Sequence, residues 1–355
     1  MSDMHQALEK AGAGERITRA EALILADSAG VHQLGQAALE VRTRLFGQQA
    51  FFVYNQHLNY TNICVNDCRF CAYSKRKGEE GSYVMMVEEV REAIKCRLHE
   101  PVEEVHVVGG LNPDLPYDYY LEMLAAIKEA RPGVHIKAFT AVEIAFLAQK
   151  YKKTRKQVLT EFTQAGLDAL PGGGAEVFSP HLRSKLCPEK LSGEEWLKVH
   201  ELAHSLDIPT NCTLLFGHIE TWQDRLDHLQ ALRDLQDRSG GFLCFIPLPY
   251  QTGGNDLQAE GPDGLDMVKM WAISRVFLDN IPHIKAYWVF CGIKAAQLGL
   301  WYGADDFDGT LVEEKVGHAA GADTPRGLGI EQLQHHIQAA GMIPVRRDSF
   351  FQPRT

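Results

Sequence analysis

The chain has 355 residues and a net charge of −10, and 45% of its residues are hydrophobic and 23% charged. This composition predicts a globular protein with a large apolar core, and the negative charge argues against binding to nucleic acid, whose phosphates an acidic surface repels. The first residues lack the apolar core of a signal peptide, and no later apolar run reaches membrane-spanning length, so we expect a cytoplasmic protein with no membrane partner.

Helical periodicity covers the start of the chain, and residues 1–48 are expected to form an N-terminal helical extension. From residue 49 onward, short apolar runs of β-type composition alternate with helical stretches such as 117–130 and 220–236. The runs predicted to be strands are 51–63, 105–108, 135–139, 167–170, 210–216, 242–246 and 284–290, with an eighth near Leu311.

Strands that alternate with helices predict a parallel sheet with helical crossovers. About eight such units without an internal linker favour an α/β fold of the (β/α)8 TIM-barrel type over residues 49–320. Residues 321–355 are expected to form a C-terminal helix and tail that pack on this barrel. Active sites of such barrels lie at the C-terminal ends of the strands, where this sequence places polar or glycine-rich segments.

Three cysteines stand close together in the loop that follows the first predicted strand. Cys64, Cys68 and Cys71 give the spacing C-x3-C-x2-C. Three thiolates suit a 4Fe–4S cluster in which the fourth iron stays open to a small molecule. The alternative is a zinc site, but the other five cysteines are scattered singly and form no second pair. The spacing therefore favours the cluster.

Several segments together carry a family resemblance. They are 59–64 (NYTNIC), 109–114 (GGLNPD), 139–144 (FTAVEI), 170–176 (LPGGGAE), 217–221 (GHIET), 283–288 (HIKAYW), 303–306 (GADD) and 308–315 (DGTLVEEK). With the cysteine spacing, they resemble the radical S-adenosylmethionine (SAM) enzymes of the futalosine route to menaquinone and, among these, the aminofutalosine synthases most. The resemblance runs from about residue 50 to the end and departs from the family at 212–216 and 247–254.

This resemblance implies a cofactor pair and a reaction. SAM would bind the open iron of the 4Fe–4S cluster and be consumed as a substrate. Its deoxyadenosyl radical would add to 3-[(1-carboxyvinyl)oxy]benzoate, an aryl enol ether dicarboxylate. Aryl migration and loss of bicarbonate would then give 6-amino-6-deoxyfutalosine. The resemblance also implies an electron donor such as flavodoxin or ferredoxin, and it allows a homodimer.

Other functions remain open at this stage. Within the enzyme class, the alternatives are a cyclic dehypoxanthine futalosine synthase, which abstracts hydrogen and releases free deoxyadenosine, and a deazaflavin-forming synthase, which takes a tyrosine and a pyrimidine. Outside it, the alternative is an iron–sulfur electron-transfer protein or a zinc-stabilised protein. Such a protein would not cleave SAM.

The resemblance implies two groups of site residues besides the cysteines. The expected cofactor-binding residues are Phe70, Tyr73, Gly109, Gly110, Glu143 and Glu176. The expected catalytic residues are His218, Glu220 and Thr140. The candidates to bind the two substrate carboxylates are His218, Thr140, Asn112 and the pair Lys137 and Lys285, with Arg275 less favoured. Glu143 also fits the first turn of a helix, where the dipole favours carboxylates. Lys137 and Lys285, each inside an apolar strand, are expected to point outward between helices.

Overall fold

The computed structural model describes residues 3–354. Its helices are α1 (Asp3–Ala13), α2 (Arg19–Ser28), α3 (Val31–Phe46), α4 (Val87–Lys95), α5 (Tyr117–Ala130), α6 (Ala141–Lys150), α7 (Arg155–Ala165), α8 (Pro180–Leu186), α9 (Gly193–His204), α10 (Trp222–Ser239), α11 (Gly264–Phe277), α12 (Trp288–Cys291), α13 (Ile293–Gly299), α14 (Val316–Ala319) and α15 (Ile330–Ala339). Its strands are β1 (Gln49–Val53), β2 (Asn55–Leu58), β3 (Glu104–Val107), β4 (His135–Ala138), β5 (Thr210–Phe216), β6 (Phe242–Pro249), β7 (His283–Ile284), β8 (Asp306–Gly309) and β9 (Ile343–Arg347). Within these residues, no helix has the length and apolar character needed to cross a membrane.

The N-terminal region is helical, as the sequence predicts. A capping box starts α2: Thr18 Oγ1 accepts from Glu21 N, and the Glu21 carboxylate accepts from Thr18 N. Helix α3 packs against α1 and α11. Its buried Arg42 donates to Ala304 O at 3.0 Å. These contacts join the helical layer to the loop before β8.

The strands pair in parallel and form three three-stranded sheets, in the orders β8-β1-β9, β2-β3-β4 and β5-β6-β7. Only Tyr54 separates β1 from β2. Single parallel bridges link the sheets across the remaining gaps: Lys137 with Ala169, Leu170 with Thr210, and Lys285 with Asp306. The pairings thus follow one another around a ring, although the ladder of hydrogen bonds is interrupted. The predicted α/β fold of parallel strands and crossover helices is confirmed, but the described strands form three separate sheets and not the predicted closed eight-stranded barrel.

Three predicted strands are shorter in the structure. The run 51–63 ends as a strand at Leu58, and the run 167–170 keeps only the bridge residues Ala169 and Leu170. The run 284–290 contains only Ile284 of β7 before it turns into α12. Composition favoured a strand at 284–290 because the run is aromatic and β-branched. However, Trp288 is fully buried and its Nε1 donates to Gly309 O at 2.9 Å. This tertiary contact accompanies a helical turn where local propensity favours a strand. The eighth strand, β8, ends just before Leu311.

The C-terminal segment contributes a strand that the sequence did not predict. Strand β9 follows α15 and pairs in parallel with β1. The buried Arg347 forms an ion pair with Asp306, and Ser349 Oγ donates to Glu104 Oε2 at 2.7 Å. Asp306 and Glu104 are the first residues of their strands, so the tail covers the N-terminal ends of the ring. The division of the chain at residues 48 and 320 stays a prediction.

Candidate active site

A cavity of about 330 Å³ lies inside the ring and reaches the loops at the C-terminal ends of the strands. Parallel strands bring these ends to the same side, so segments far apart in the sequence meet there. Most of the predicted site residues lie on its wall: Cys64, Phe70, Cys68, Cys71, Tyr73, Gly109, Gly110, Thr140, Glu143 and Glu176. Two of the predicted catalytic residues, His218 and Glu220, do not.

Backbone hydrogen bonds hold the cysteine loop in place. Cys64 N donates to Lys75 O at 3.0 Å, and Cys71 N donates to Cys68 O at 2.9 Å. The Arg76 guanidinium donates to Cys64 O at 3.0 Å and to Val65 O at 2.6 Å. The contacts of Lys75 and Arg76 with Cys64 and Val65 therefore join the two ends of the loop.

The three thiols of the loop differ from four of the other five cysteines in the described residues; the exception, Cys187, is buried. Cys64, Cys68 and Cys71 are half-buried, and within residues 3–354 none of their sulfur atoms has a hydrogen-bond partner. By contrast, the sulfur atoms of Cys96, Cys212, Cys244 and Cys291 donate to backbone carbonyls. Unpaired sulfur atoms on a cavity wall are suited to bind a metal centre. These residues therefore fit a three-cysteine cluster.

The arrangement of ligands also bears on the zinc alternative. Among the described residues, no group of three or more His, Cys, Asp or Glu side chains is placed to hold one metal ion. A zinc site needs four ligands around a single ion. In a 4Fe–4S cube, each cysteine binds a different iron, so the thiolates need not converge on one point. The geometry favours the cluster.

A half-buried lysine lies beside the cysteine loop. Lys190 Nζ forms an ion pair with Glu176 Oε1 at 2.6 Å and lies 5.3 Å from the centre of the Phe70 ring. Burial raises the pKa of the Cys68 thiol to about 12, and the charge of Lys190 opposes this effect. The sequence analysis did not select Lys190. Its position three residues after the isolated Cys187 gave no signal that it faces the cavity.

Gly109 and Gly110 lie against the protein itself. A Cβ at Gly110 would overlap Ile63 O, 2.7 Å from Ile63 C and 3.1 Å from the Cβ of Cys64, and one at Gly109 would lie 2.6 Å from the ring of Tyr60. Glycine is therefore required for the close packing of this strand end on the cysteine loop. This contact alone accounts for both glycines, whatever a bound SAM molecule adds.

Glu143 is buried at the start of α6 and its carboxylate accepts four hydrogen bonds. Oε1 accepts from Tyr60 Oη at 2.9 Å and from Gly109 N at 3.2 Å, and Oε2 accepts from Thr140 N at 2.7 Å and from Thr140 Oγ1 at 2.8 Å. Burial raises the pKa of Glu143 to about 7, although these hydrogen bonds oppose the rise. Thr140 is the N-cap of α6, so both residues fix the end of β3 against α6.

Tyr73 lies on the wall with its hydroxyl already paired. Its Oη is 2.7 Å from Tyr83 Oη and donates to Thr61 O at 3.3 Å. The Tyr83 hydroxyl in turn donates to Asn59 O at 2.7 Å. Burial is the main cause that raises the pKa of Tyr73, so the phenol stays neutral and presents its ring to the cavity.

The deep part of the cavity, which we call the floor, is lined by inward-facing residues of the strands themselves. Lys137 Nζ pairs with Glu104 Oε2 at 2.6 Å, and Lys285 Nζ pairs with Asp308 Oδ1 at 2.8 Å. All four side chains are buried and line the cavity. The expectation that Lys137 and Lys285 point outward is therefore wrong. The sequence suggested the wrong side of the strand because each lysine lies in an apolar run. Its acidic partner lies on a neighbouring strand and also faces inward.

Two stacked histidines complete the floor, and the sequence analysis missed both. The rings of His57 and His106 are 4.6 Å apart with an interplanar angle of 4°. Burial is the main cause that lowers both pKa values, that of His57 to about 4. Two neutral imidazoles can stack face to face without charge repulsion. A signal was present: polar residues alternate along β2, β3, β5 and β8, at Asn55 and His57, Glu104 and His106, Asn211 and Thr213, and Asp306 and Asp308.

The structure corrects the roles predicted for His218 and Glu220. Both side chains are fully buried behind the cavity wall. Glu220 accepts from Arg225 Nε at 2.8 Å and from His218 N at 2.9 Å, and Arg225 also pairs with Asp266 at 2.6 Å. Burial raises the pKa of Glu220, but His218 and Arg225 outweigh it and lower the pKa below its usual range. These residues form an ion-pair cluster that holds the start of α10. The further candidates Asn112 and Arg275 are also buried outside the cavity wall.

Two family profiles together cover most of the chain. The profile of the Radical SAM superfamily matches residues 58–232, and that of the CofH/MqnC C-terminal region matches residues 239–355. The first match contains the cysteine loop and the walls up to β5. The second contains the floor residues of β7 and β8 together with the C-terminal tail.

Related proteins cover nearly the whole chain. The aminodeoxyfutalosine synthase of Thermus thermophilus is 43% identical over 348 residues, which is 97% of this chain and 94% of the relative. The 5-amino-6-(D-ribitylamino)uracil–L-tyrosine 4-hydroxyphenyl transferase of Methanopyrus kandleri is 38% identical and covers 91% of this chain and 89% of its own length.

Solved structures agree on the fold. HydG, the FeFe-hydrogenase maturase of Carboxydothermus hydrogenoformans, superposes with a TM-score of 0.76 at 16% identity and covers 98% of this chain and 80% of its own. Methylornithine synthase, PylB, gives a TM-score of 0.75 at 19% identity and covers 96% and 97%. A 4Fe–4S cluster and SAM are the cofactors of this fold family, and the cavity fits them. The chain belongs to the radical SAM superfamily, as a transferase-type enzyme with the CofH/MqnC C-terminal region.

Proposed function

We propose that this enzyme is an aminodeoxyfutalosine synthase, which joins the adenosyl group of SAM to 3-[(1-carboxyvinyl)oxy]benzoate. The observation that carries the proposal is 43% identity over 97% of the chain with the Thermus thermophilus protein of that name. The Streptomyces coelicolor protein of the same name supports it at 40% identity over 97% of the chain. The archaeal 4-hydroxyphenyl transferases are more distant, at 38% and 36% for the first two relatives.

In this proposal Cys64, Cys68 and Cys71 hold three irons of the cluster. When bound, the cluster supplies the electron that cleaves SAM. A small redox protein such as flavodoxin or ferredoxin delivers that electron. The protein residues around the loop keep the three sulfur atoms in position through the backbone bonds of Cys64 and Cys71 and the guanidinium of Arg76.

Residues next to the loop are proposed to hold SAM. Phe70 offers an aromatic face to the adenine, and the wall formed by Gly109 and Gly110 lets the backbone approach the methionyl end. The Lys190 and Glu176 pair places one charge of each sign at the same wall, suited to a zwitterionic amino acid. All four acceptor positions of the Glu143 carboxylate have protein donors. We therefore assign Glu143 and Thr140 a positioning role for Gly109.

The rest of the cavity is proposed to hold the aryl enol ether and to exclude water. Tyr73, Tyr287 and Phe290 present aromatic surface. The charged floor side chains are paired with one another within 2.8 Å. A dry cavity that fixes the alkene near SAM favours addition over competing hydrogen transfer. The buried side chains and the ion pairs that line this cavity favour the exclusion of water.

The test is a product analysis on three sets of substrates. The protein is reconstituted with iron and sulfide without oxygen, reduced with dithionite and given SAM. It then receives the enolpyruvyl ether of 3-hydroxybenzoate, dehypoxanthine futalosine, or tyrosine with 5-amino-6-(D-ribitylamino)uracil. Mass spectrometry detects the products. A product that joins the adenosyl group to the benzoate supports the proposal. Turnover only of one of the other two sets would replace it with the futalosine cyclase or the deazaflavin-type transferase.

A further inference from the structure

The floor contains polar atoms that the protein leaves without a partner. Within residues 3–354, the buried nitrogen and oxygen atoms that lack a hydrogen-bond partner include two from cavity-lining residues, His57 Nε2 and Asn211 Oδ1. Both residues are at least nine-tenths buried, at 5% and 3% exposure. A buried polar atom without a partner costs about 1–3 kcal/mol. Of the two atoms, His57 Nε2 can carry a proton and donate to an anionic ligand, whereas Asn211 Oδ1 only accepts.

His57 is a neutral donor or acceptor at this position. Burial is the main cause of its lowered pKa; the charges of Glu314 and Glu104 oppose it, and the weaker effects of Lys285 and Lys137 lower the pKa further. His106 stacks on one face of the ring, and Nε2 lies on the ring edge, where a hydrogen bond would form. A neutral imidazole with a proton on Nε2 donates one hydrogen bond. A carboxylate oxygen is a suitable acceptor.

Lys285 supplies positive charge in the same region. Burial alone would lower its pKa, but Asp308 and Asp306 outweigh burial and raise it, so the ammonium stays charged. An ammonium has three N–H donors, and Lys285 donates one hydrogen bond, to Asp308 at 2.8 Å. Asp306 Oδ1 lies 3.8 Å from the same Nζ, beyond hydrogen-bond distance, so the ammonium retains donors for a ligand. His57 and Lys285 both line this cavity.

We infer that His57 and Lys285 bind the aryl carboxylate of the substrate. This inference rests on the proposed function. The reacting alkene must lie beside SAM, at the strand ends near the cysteine loop. The end of the molecule that reaches the floor is then the opposite end, which is the carboxylate on the benzene ring. The floor thus selects a substrate by an anionic group distant from the reacting carbon.

Two probes isolate this contact. The first is 3-[(1-carboxyvinyl)oxy]benzoate, and the second is 2-phenoxyprop-2-enoate, which lacks only the aryl carboxylate. Binding is measured by anaerobic calorimetry on the cluster-loaded protein with SAM and without a reductant. His57→Leu removes the ring nitrogen, whereas His57→Gln keeps an N–H near the position of Nε2. The double variant Lys285→Met/Asp308→Asn removes the ion pair without leaving a lone buried charge.

We expect His57→Leu and the double variant to lower the affinity for the first probe by about 10- to 100-fold. Their affinity for the second probe should stay within about twofold of wild type. His57→Gln should recover most of the loss. The matched control is His200→Leu, because His200 is also buried with a partnerless Nε2 but lies on α9 outside the cavity. It should change neither probe.

Equal losses for both probes would overturn the inference, since they would indicate altered packing. Wild-type affinity of His57→Leu and of the double variant for the first probe would also overturn the inference. If the wild-type protein neither binds nor converts the first probe, the proposed function fails and the inference fails with it. If the wild-type protein converts the first probe but the variants bind it normally, only the inference fails.

Discussion

Gly110→Ala should disrupt cluster loading because Gly110 packs on the backbone that carries the first cysteine. The new Cβ would lie 2.7 Å from Ile63 C, whereas carbon atoms in contact are about 3.5 Å apart. The loop must therefore open by about 0.8 Å. Hydrogen bonds oppose this displacement, because Cys64 N donates to Lys75 O and Cys64 O accepts from the Arg76 guanidinium.

The displacement is large on the scale of metal coordination, where ligand distances hold to about 0.2 Å. We therefore expect Gly110→Ala to bind less than about half the iron of wild type under identical reconstitution. We expect SAM cleavage to fall by about 100-fold. Iron and sulfide analysis, absorbance near 400 nm and the spin signal of the reduced cluster measure loading independently of turnover.

Gly264→Ala is the matched control, because a Cβ there meets no atom within 4 Å and the residue does not have a positive φ. It should load and react like wild type. Full loading of Gly110→Ala, with SAM cleavage within about twofold of wild type, would refute the reasoning.

Three further predictions concern other buried groups. Lys137→Met should destabilise the protein by about 3–5 kcal/mol in anaerobic urea unfolding, because Glu104 loses its partner at 2.6 Å. Lys137→Met/Glu104→Gln should recover most of that loss, and a single variant as stable as wild type would contradict the prediction. Glu220→Gln should lower the midpoint of unfolding but leave kcat of the folded enzyme within about twofold, and a large loss of kcat at wild-type stability would restore its catalytic role. Burial lowers the pKa of His204 to about 4 and of His228 to about 3, so below pH 6.5 the unfolded state binds protons that the folded state does not. The free energy of unfolding should therefore fall as pH drops from 6.5 to 4, by up to about 1.4 kcal/mol per pH unit for each histidine. A pH slope unchanged in His228→Gln would exclude His228 as a contributor.

The sequence indicated which loops line the cavity at the C-terminal ends of the strands, because loops after parallel strands lie on the same side of a sheet. The spacing of Cys64, Cys68 and Cys71 already indicates three ligands, and the glycines after β3 mark a close approach. Thr140 and Glu143 were selected as ligands, yet the structure gives them capping bonds at α6. Their residue types fit both roles equally, so spacing alone could not separate them.

The floor was missed because its side chains lie inside the strands. Lys137 and Lys285 look like outward residues when each strand is considered alone, since only pairing across strands shows Glu104 and Asp308 beside them. The alternation of polar residues in β2 and β3 carried that information. The prediction for His218 failed for a related reason. A histidine just after a strand faces the cavity only if the backbone at Gly217 directs it there. Here the Nε2 atom of His218 lies 3.0 Å from Leu215 O.

The most direct test of the account follows the carbon that SAM contributes. Reduced, cluster-loaded protein is given SAM labelled with ¹³C at the 5′ position of the adenosyl group, together with 3-[(1-carboxyvinyl)oxy]benzoate, and the products are examined by NMR. The account predicts that the labelled carbon becomes bonded to a carbon of the substrate in a stoichiometric product. Label found only as the methyl group of free 5′-deoxyadenosine, with the benzoate unchanged, would contradict it.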